Sequence, residues 1–83
     1  MTVEELCIAL DKLGVSRRFY SINGNLSGDT HILNFVHNHW EYFYFDEKGR
    51  TTGEKRFECE DKAYKYLYRV LENEMKYYSP QKP

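Results

Sequence analysis

The sequence predicts an α+β fold: a helix, an antiparallel meander sheet of three to four strands, and a C-terminal helix, with both helices on one face of the sheet. Three observations carry this reading. The first dozen residues place apolar side chains at helical spacing behind a capping pattern. The middle of the chain holds short β-branched and aromatic runs separated by Gly, Asn and Asp. The C-terminal third returns to helical spacing over a longer stretch. Two amphipathic helices on one side of a sheet bury both apolar stripes in the simplest way.

The first element opens on a capping box. Thr2 can accept from the Glu5 amide, and the Glu5 side chain can reach back to the amide of Thr2. Val3, Leu6, Cys7, Leu10 and Leu13 then share a face, leaving Glu4, Glu5, Asp11 and Lys12 for water. Gly14 suits the left-handed position that ends a helix, so residues 2–13 are expected to be helical. A strand is expected at Phe19-Tyr20-Ser21-Ile22, followed by a loop over 23–29 whose Gly and Asn residues tolerate positive φ. Thr30 to Val36 is a second strand, His37-Asn38-His39 a tight connection, and Trp40-Glu41-Tyr42-Phe43-Tyr44-Phe45 the strongest strand signal. Asp46-Glu47-Lys48-Gly49 has the form of a type I turn closed by a glycine bulge, and Arg50 to Phe57 supplies a more polar edge strand. The last helix runs from about Glu60 to Tyr77, with Glu60 and Asp61 at the positive end of its dipole. Its stripe is Ala63, Tyr64, Leu67, Val70, Leu71, Met75 and Tyr78, flanked by Tyr66 and Tyr68. One domain over 1–78 and a frayed tail over 79–83 complete the expectation.

Composition narrows the function. The 83 residues are 41% hydrophobic and include eight Tyr and five Phe, enough for a small core. A net charge of −1 argues against recruitment to nucleic acid by bulk electrostatics. No run approaches the roughly 20 apolar residues of a membrane helix, and the acidic N-terminus lacks the features of a signal peptide. The cytosol is the expected address. Cys7 and Cys59 lack a CxxC partner and read as reduced thiols.

Catalytic patterns are weak. His37 and His39 would share a face on a continued strand, with Glu41 extending the row, but a hairpin would scramble that alignment and no complete ligand set follows. Surface turn histidines are the better reading of His37 and His39, His31 lies in the second strand, and no metal or cofactor is expected. A nuclease could pair a histidine with Glu41 or Lys55, yet nothing fixes such a trio, and no enzyme activity is expected. The sheet offers a better candidate. Phe43 and Phe45 point one way and Trp40, Tyr42 and Tyr44 the other. The Phe row is expected to be buried, because Tyr and Trp carry a polar handle that keeps contact with water. An outward Trp/Tyr row has the composition of a recognition surface. The competing reading is structural, with Trp40 closing the end of the core or lying under the tail. Acidic residues from Asp29 through Glu41, Asp46 and Glu47 to Asp61 could meet a basic partner. Interleaved Lys48, Arg50, Lys55 and Arg56 equally fit an ordinary solvated surface.

Trp40 to Gly49, followed by Phe57-Glu58-Cys59-Glu60-Asp61-Lys62-Ala63-Tyr64-Lys65-Tyr66-Leu67, resembles the small immunity proteins of bacterial polymorphic-toxin and contact-dependent inhibition systems. In that group a Trp-Glu-aromatic-aromatic strand, an acidic turn with Gly and a final F-x-x-E-x-x-A-x-x-Y-L helix recur. Leu26-Ser27-Gly28-Asp29 also fits the type. The resemblance covers roughly residues 26–71, and it departs at Cys59, where a Ser or other N-cap residue is expected. It implies a protein that binds the toxic C-terminal domain of a cognate effector, often a nuclease, and blocks its active site or substrate groove. Trp40, Tyr42 and Tyr44 would then be anchors, with Glu41, Asp46 and Glu47 as charge partners. Two other classes compete: an RNA-binding module using the aromatic sheet face, and a self-associating adaptor.

Overall fold

Residues 1–24 and 26–78 are described by a computed structural model, with side chains through Lys76. The expected tail at 79–83 and the Tyr78 side chain lie outside the described residues. In chain order the elements are α1 (Val3–Leu13), a 3₁₀ turn (Arg17–Phe19), β1 (Tyr20–Ile22), β2 (Thr30–Val36), β3 (His39–Phe45), β4 (Thr51–Phe57) and α2 (Glu60–Tyr78). No helix among the described residues is long and apolar enough to cross a membrane.

The capping box closes as its chemistry requires. Thr2 Oγ1 accepts from the Glu5 amide at 3.1 Å, and Glu5 Oε1 accepts from the Thr2 amide at 2.9 Å. Gly14 ends α1 at φ 87°, its amide turned back to the Asp11 carbonyl. At the start of α2 the Cys59 carbonyl accepts from the Ala63 amide, so the missing N-cap side chain does not displace the first helical bond.

The sheet order is β1-β2-β3-β4. β2, β3 and β4 form the expected antiparallel meander. His37 and Asn38, at φ 51° and 66°, make the two-residue turn between β2 and β3 that matches strand twist. At the next turn the Gly49 amide donates to the Asp46 carbonyl, Gly49 sits at φ 83°, and the Asp46 amide donates to the Arg50 carbonyl. This is the type I turn with its glycine bulge.

The β1 pairing departs from the meander. Tyr20, Ser21 and Ile22 pair in parallel with His31, Ile32 and Leu33, making the sheet mixed. Parallel neighbours usually need a crossover of a dozen or more residues. Here the short loop over 23–29 suffices because β1 is only three residues long. Positive φ at Asn23 and Asp29 reverses the chain at both ends of that loop. Asn23 then prolongs the ladder: its amide donates to the Leu33 carbonyl, and its side-chain oxygen accepts from the Phe35 amide at 2.8 Å. Phe19, expected in the strand, belongs to the 3₁₀ turn.

A β-bulge interrupts β3–β4 between Tyr42 and Tyr44, with Gly53 in the left-handed region at φ 66°. A Cβ placed there meets nothing closer than Tyr42 Cε2 at 4.0 Å, so the requirement for glycine is conformational. Gly53→Ala is expected to lower stability by about 1–2 kcal/mol, the cost of holding an L-residue in that region. Urea unfolding measures it, and an unchanged midpoint would mean the bulge is misplaced.

Both helices pack on one face of the sheet. Leu6 and Leu10 of α1 and Ala63, Tyr64, Leu67 and Leu71 of α2 share one core with Tyr20, Leu33, Trp40 and Tyr42. Strand parity makes that set consistent, because Leu33 pairs with Tyr42 and Phe35 with Trp40.

Candidate functional site

The helix-covered face therefore carries the Trp/Tyr row, the reverse of the sequence expectation. Trp40 is 7% exposed and Tyr42 5%. The Trp40 ring meets Tyr64 edge-on at 5.3 Å, and Tyr42 meets Tyr66 edge-on at 5.0 Å. The polar-handle argument fails because the handle finds a partner inside: Tyr42 Oη lies 2.8 Å from His31 Nδ1. Burial raises the Tyr42 hydroxyl well above its ordinary pKa, with the neighbouring Tyr66 and the Glu74 carboxylate adding to the effect. His31, on strand β2, is 4% exposed. Tyr44, half-buried at the margin of this face, donates to Asp29 Oδ1 at 3.1 Å and tilts against the His31 ring. The three expected anchors thus lie on the packed side.

The opposite face has no helix on it. Phe43 and Phe45 lie there, each half-buried, beside Glu41 and His39 of the same strand. Ile32 is fully buried on this side, between Ser21 and Phe43 in the ladder. His39 Nε2 lies 2.8 Å from Glu41 Oε2, which fixes the carboxylate along the row. Arg56 stands opposite Glu41 on β4, and Thr51 Oγ1 donates to Glu54 Oε2 at 2.9 Å. A concavity of about 470 Å³ opens at the β3–β4 bulge, lined by Glu41, Tyr42, Phe43, Thr51, Glu54, Lys55 and Arg56. The bulge at Gly53 shapes it, since the one extra residue on β4 bends that edge strand.

The turn residues divide. Asp46 is committed to its own turn: Oδ1 accepts from the Lys48 and Arg50 amides at 2.9 and 2.8 Å, and Oδ2 lies 3.3 Å from Arg50 Nε. The Arg50 amide, then the Lys48 amide and the Arg50 side chain, hold its carboxyl below the usual carboxylate range. Glu47 is exposed at the tip. Glu41, Phe43 and Phe45 thus form the face, Glu47 flanks it, and Asp46 shapes the turn beside it. His37 and His39 are separated by the hairpin, and among the described residues no group of three or more His, Cys, Asp or Glu side chains is placed to hold a metal ion.

No protein-family model, curated protein or solved structure matches this chain.

The sequence reading turns the Trp/Tyr row outward, whereas the structure packs it beneath the helices. A usable signal lay on its neighbours: Tyr20 and Ile22 flank Ser21 on β1, and Phe57 ends the polar β4 opposite Trp40. Both place the apolar parity on the Trp40 side.

Proposed function

We propose that this chain is a small protein-binding domain of the immunity type, which neutralises a cognate antibacterial toxin domain in the cytosol. The observation that carries the binding part is the helix-free sheet face, where half-buried Phe43 and Phe45 stand beside Glu41 and a concavity. Partly exposed aromatic rings next to a fixed carboxylate suit a partner with an apolar centre and basic surroundings. A nuclease toxin has such surroundings, because its groove holds phosphates. The toxin part rests on the resemblance of the Trp40–Gly49 strand and turn and of the last helix to immunity proteins. In this reading the domain acts by occupying the toxin's active site or substrate groove, without chemistry of its own.

The test is coexpression with the C-terminal domain of a large secreted protein, should one be encoded immediately upstream, paired with a binding assay. Protection is expected. Phe43→Ser and Glu41→Lys are each expected to weaken binding by roughly 30-fold or more, the scale of an interface hot spot. Their thermal unfolding should remain close to that of the parent. Continued killing in cells holding well-folded protein would sink the proposal.

A further inference from the structure

A second concavity, of about 280 Å³, lies on the helix side of the sheet, between the 3₁₀ turn and the C-terminal half of α2. It does not share residues with the open face. Its walls are apolar: Val15, Phe19, Leu71 and Met75. Its polar residues are His31, Tyr44 and two carboxylates, Asp29 and Glu74. No Lys or Arg is among the described residues that line it. Asp29 accepts from the Tyr44 hydroxyl, and Glu74 Oε1 stands 3.1 Å from His31 Nε2. That nitrogen is buried and makes no aligned hydrogen bond, although its distance to the carboxylate is short. A buried polar atom left in that state, on a residue that lines a groove, marks a site whose polar groups are incompletely matched from within.

We infer that this groove receives an arginine side chain presented by a protein partner. The aliphatic stem would lie along the apolar walls while the guanidinium meets the two carboxylates, a pairing stronger than that of neutral groups. At about 280 Å³ the groove falls just below the range of about 300–1,000 Å³ typical of small-molecule sites, which fits one side chain better than a whole ligand. Two carboxylates, with no Lys or Arg among the described residues of the lining, set the sign of the occupant. The inference stands independently of the open-face reading.

The experiment is an NMR titration of labelled protein with N-acetyl-arginine amide and, separately, with N-acetyl-norleucine amide, which keeps an aliphatic stem and loses the charge. Saturable shifts at the Met75 methyl, the His31 ring and Tyr44 are expected with the arginine probe, and at least tenfold weaker binding with the neutral one. Glu74→Gln, which preserves shape at a half-exposed position, should weaken the arginine probe about tenfold, and adding Asp29→Asn should weaken it further. Equal binding of both probes, no saturable shift at these residues, or unchanged affinity in folded Glu74→Gln would each overturn the inference. Toxin neutralisation is a separate readout, so failure of either proposal leaves the other to be judged by its own result.

Discussion

Trp40→Ala is expected to cost about 3–5 kcal/mol, the range for truncating a large aromatic side chain in a core. The indole is 7% exposed, packs edge-on against Tyr64 of α2 and tilts against Phe35 of β2 at 5.3 Å. Its removal opens a cavity between sheet and helix that rigid neighbours fill only in part. For 83 residues a total stability of about 4–12 kcal/mol is ordinary, so the variant loses a large share of it. Urea unfolding followed by circular dichroism should show a much lower midpoint or no folded baseline. The same experiment on Phe43→Ser should show a smaller change, because that ring is already half in water. The pair separates the two faces: position 40 acts on folding, position 43 on the partner binding proposed for the open face. A Trp40→Ala protein that melts like the parent would contradict the placement of the row beneath the helices.

A second large effect is expected in alkali. Burial comes first among the causes that raise the hydroxyls of Tyr20, Tyr42 and Tyr64 above their ordinary pKa. Tyr64 is pushed up to about 12, with the Glu60 carboxylate contributing after burial. The folded state therefore holds these protons more tightly than the unfolded chain. The associated stability is fully present below the unfolded value near pH 10 and is lost as pH rises through the folded values. If all three shared only the rise seen at Tyr64, the loss at pH 11 would be about 4 kcal/mol, at 1.36 kcal/mol per unit for each group. That reaches the lower end of the stability range for a domain of this size. Tyrosinate absorbance from these three residues should therefore appear together with the loss of helical circular dichroism. Tyr64→Phe should flatten the fall in stability above pH 10. Full ionisation of every tyrosine at pH 11 with the fold intact would refute the buried positions.

Element order was legible because each element carried its own local chemistry. The Thr2–Glu5 box, Gly14, the Gly49 turn and the aromatic β3 strand all act within a few residues of themselves. The β1 pairing was not legible. A three-residue strand next to a short loop contains nothing that chooses parallel over antiparallel, and the choice rests on positive φ at Asn23 and Asp29 together with the Asn23 contacts to β2. The facing of β3 is not legible from residue type, for a specific reason. A tyrosine hydroxyl favours water only when no internal partner exists, and His31, eleven residues away in sequence, supplies one for Tyr42. His31 and Glu74 come together only when α2 folds back on the sheet, and no spacing in the chain announces it.

The placement of the aromatic row also sets the order in which the nascent chain becomes safe. The β2–β3–β4 meander can form from neighbouring segments as they leave the ribosome, but the covering helix α2 is the last of the described elements to be synthesised. Until then the side of the sheet bearing Trp40 and Tyr42 has no α2 lid, and α1 lacks the surface on which it packs. Exposed aromatic surface on an incomplete sheet is where aggregation begins. A message truncated before Glu60 would thus yield an adhesive fragment, and the row becomes shielded only once the final helix has closed over it.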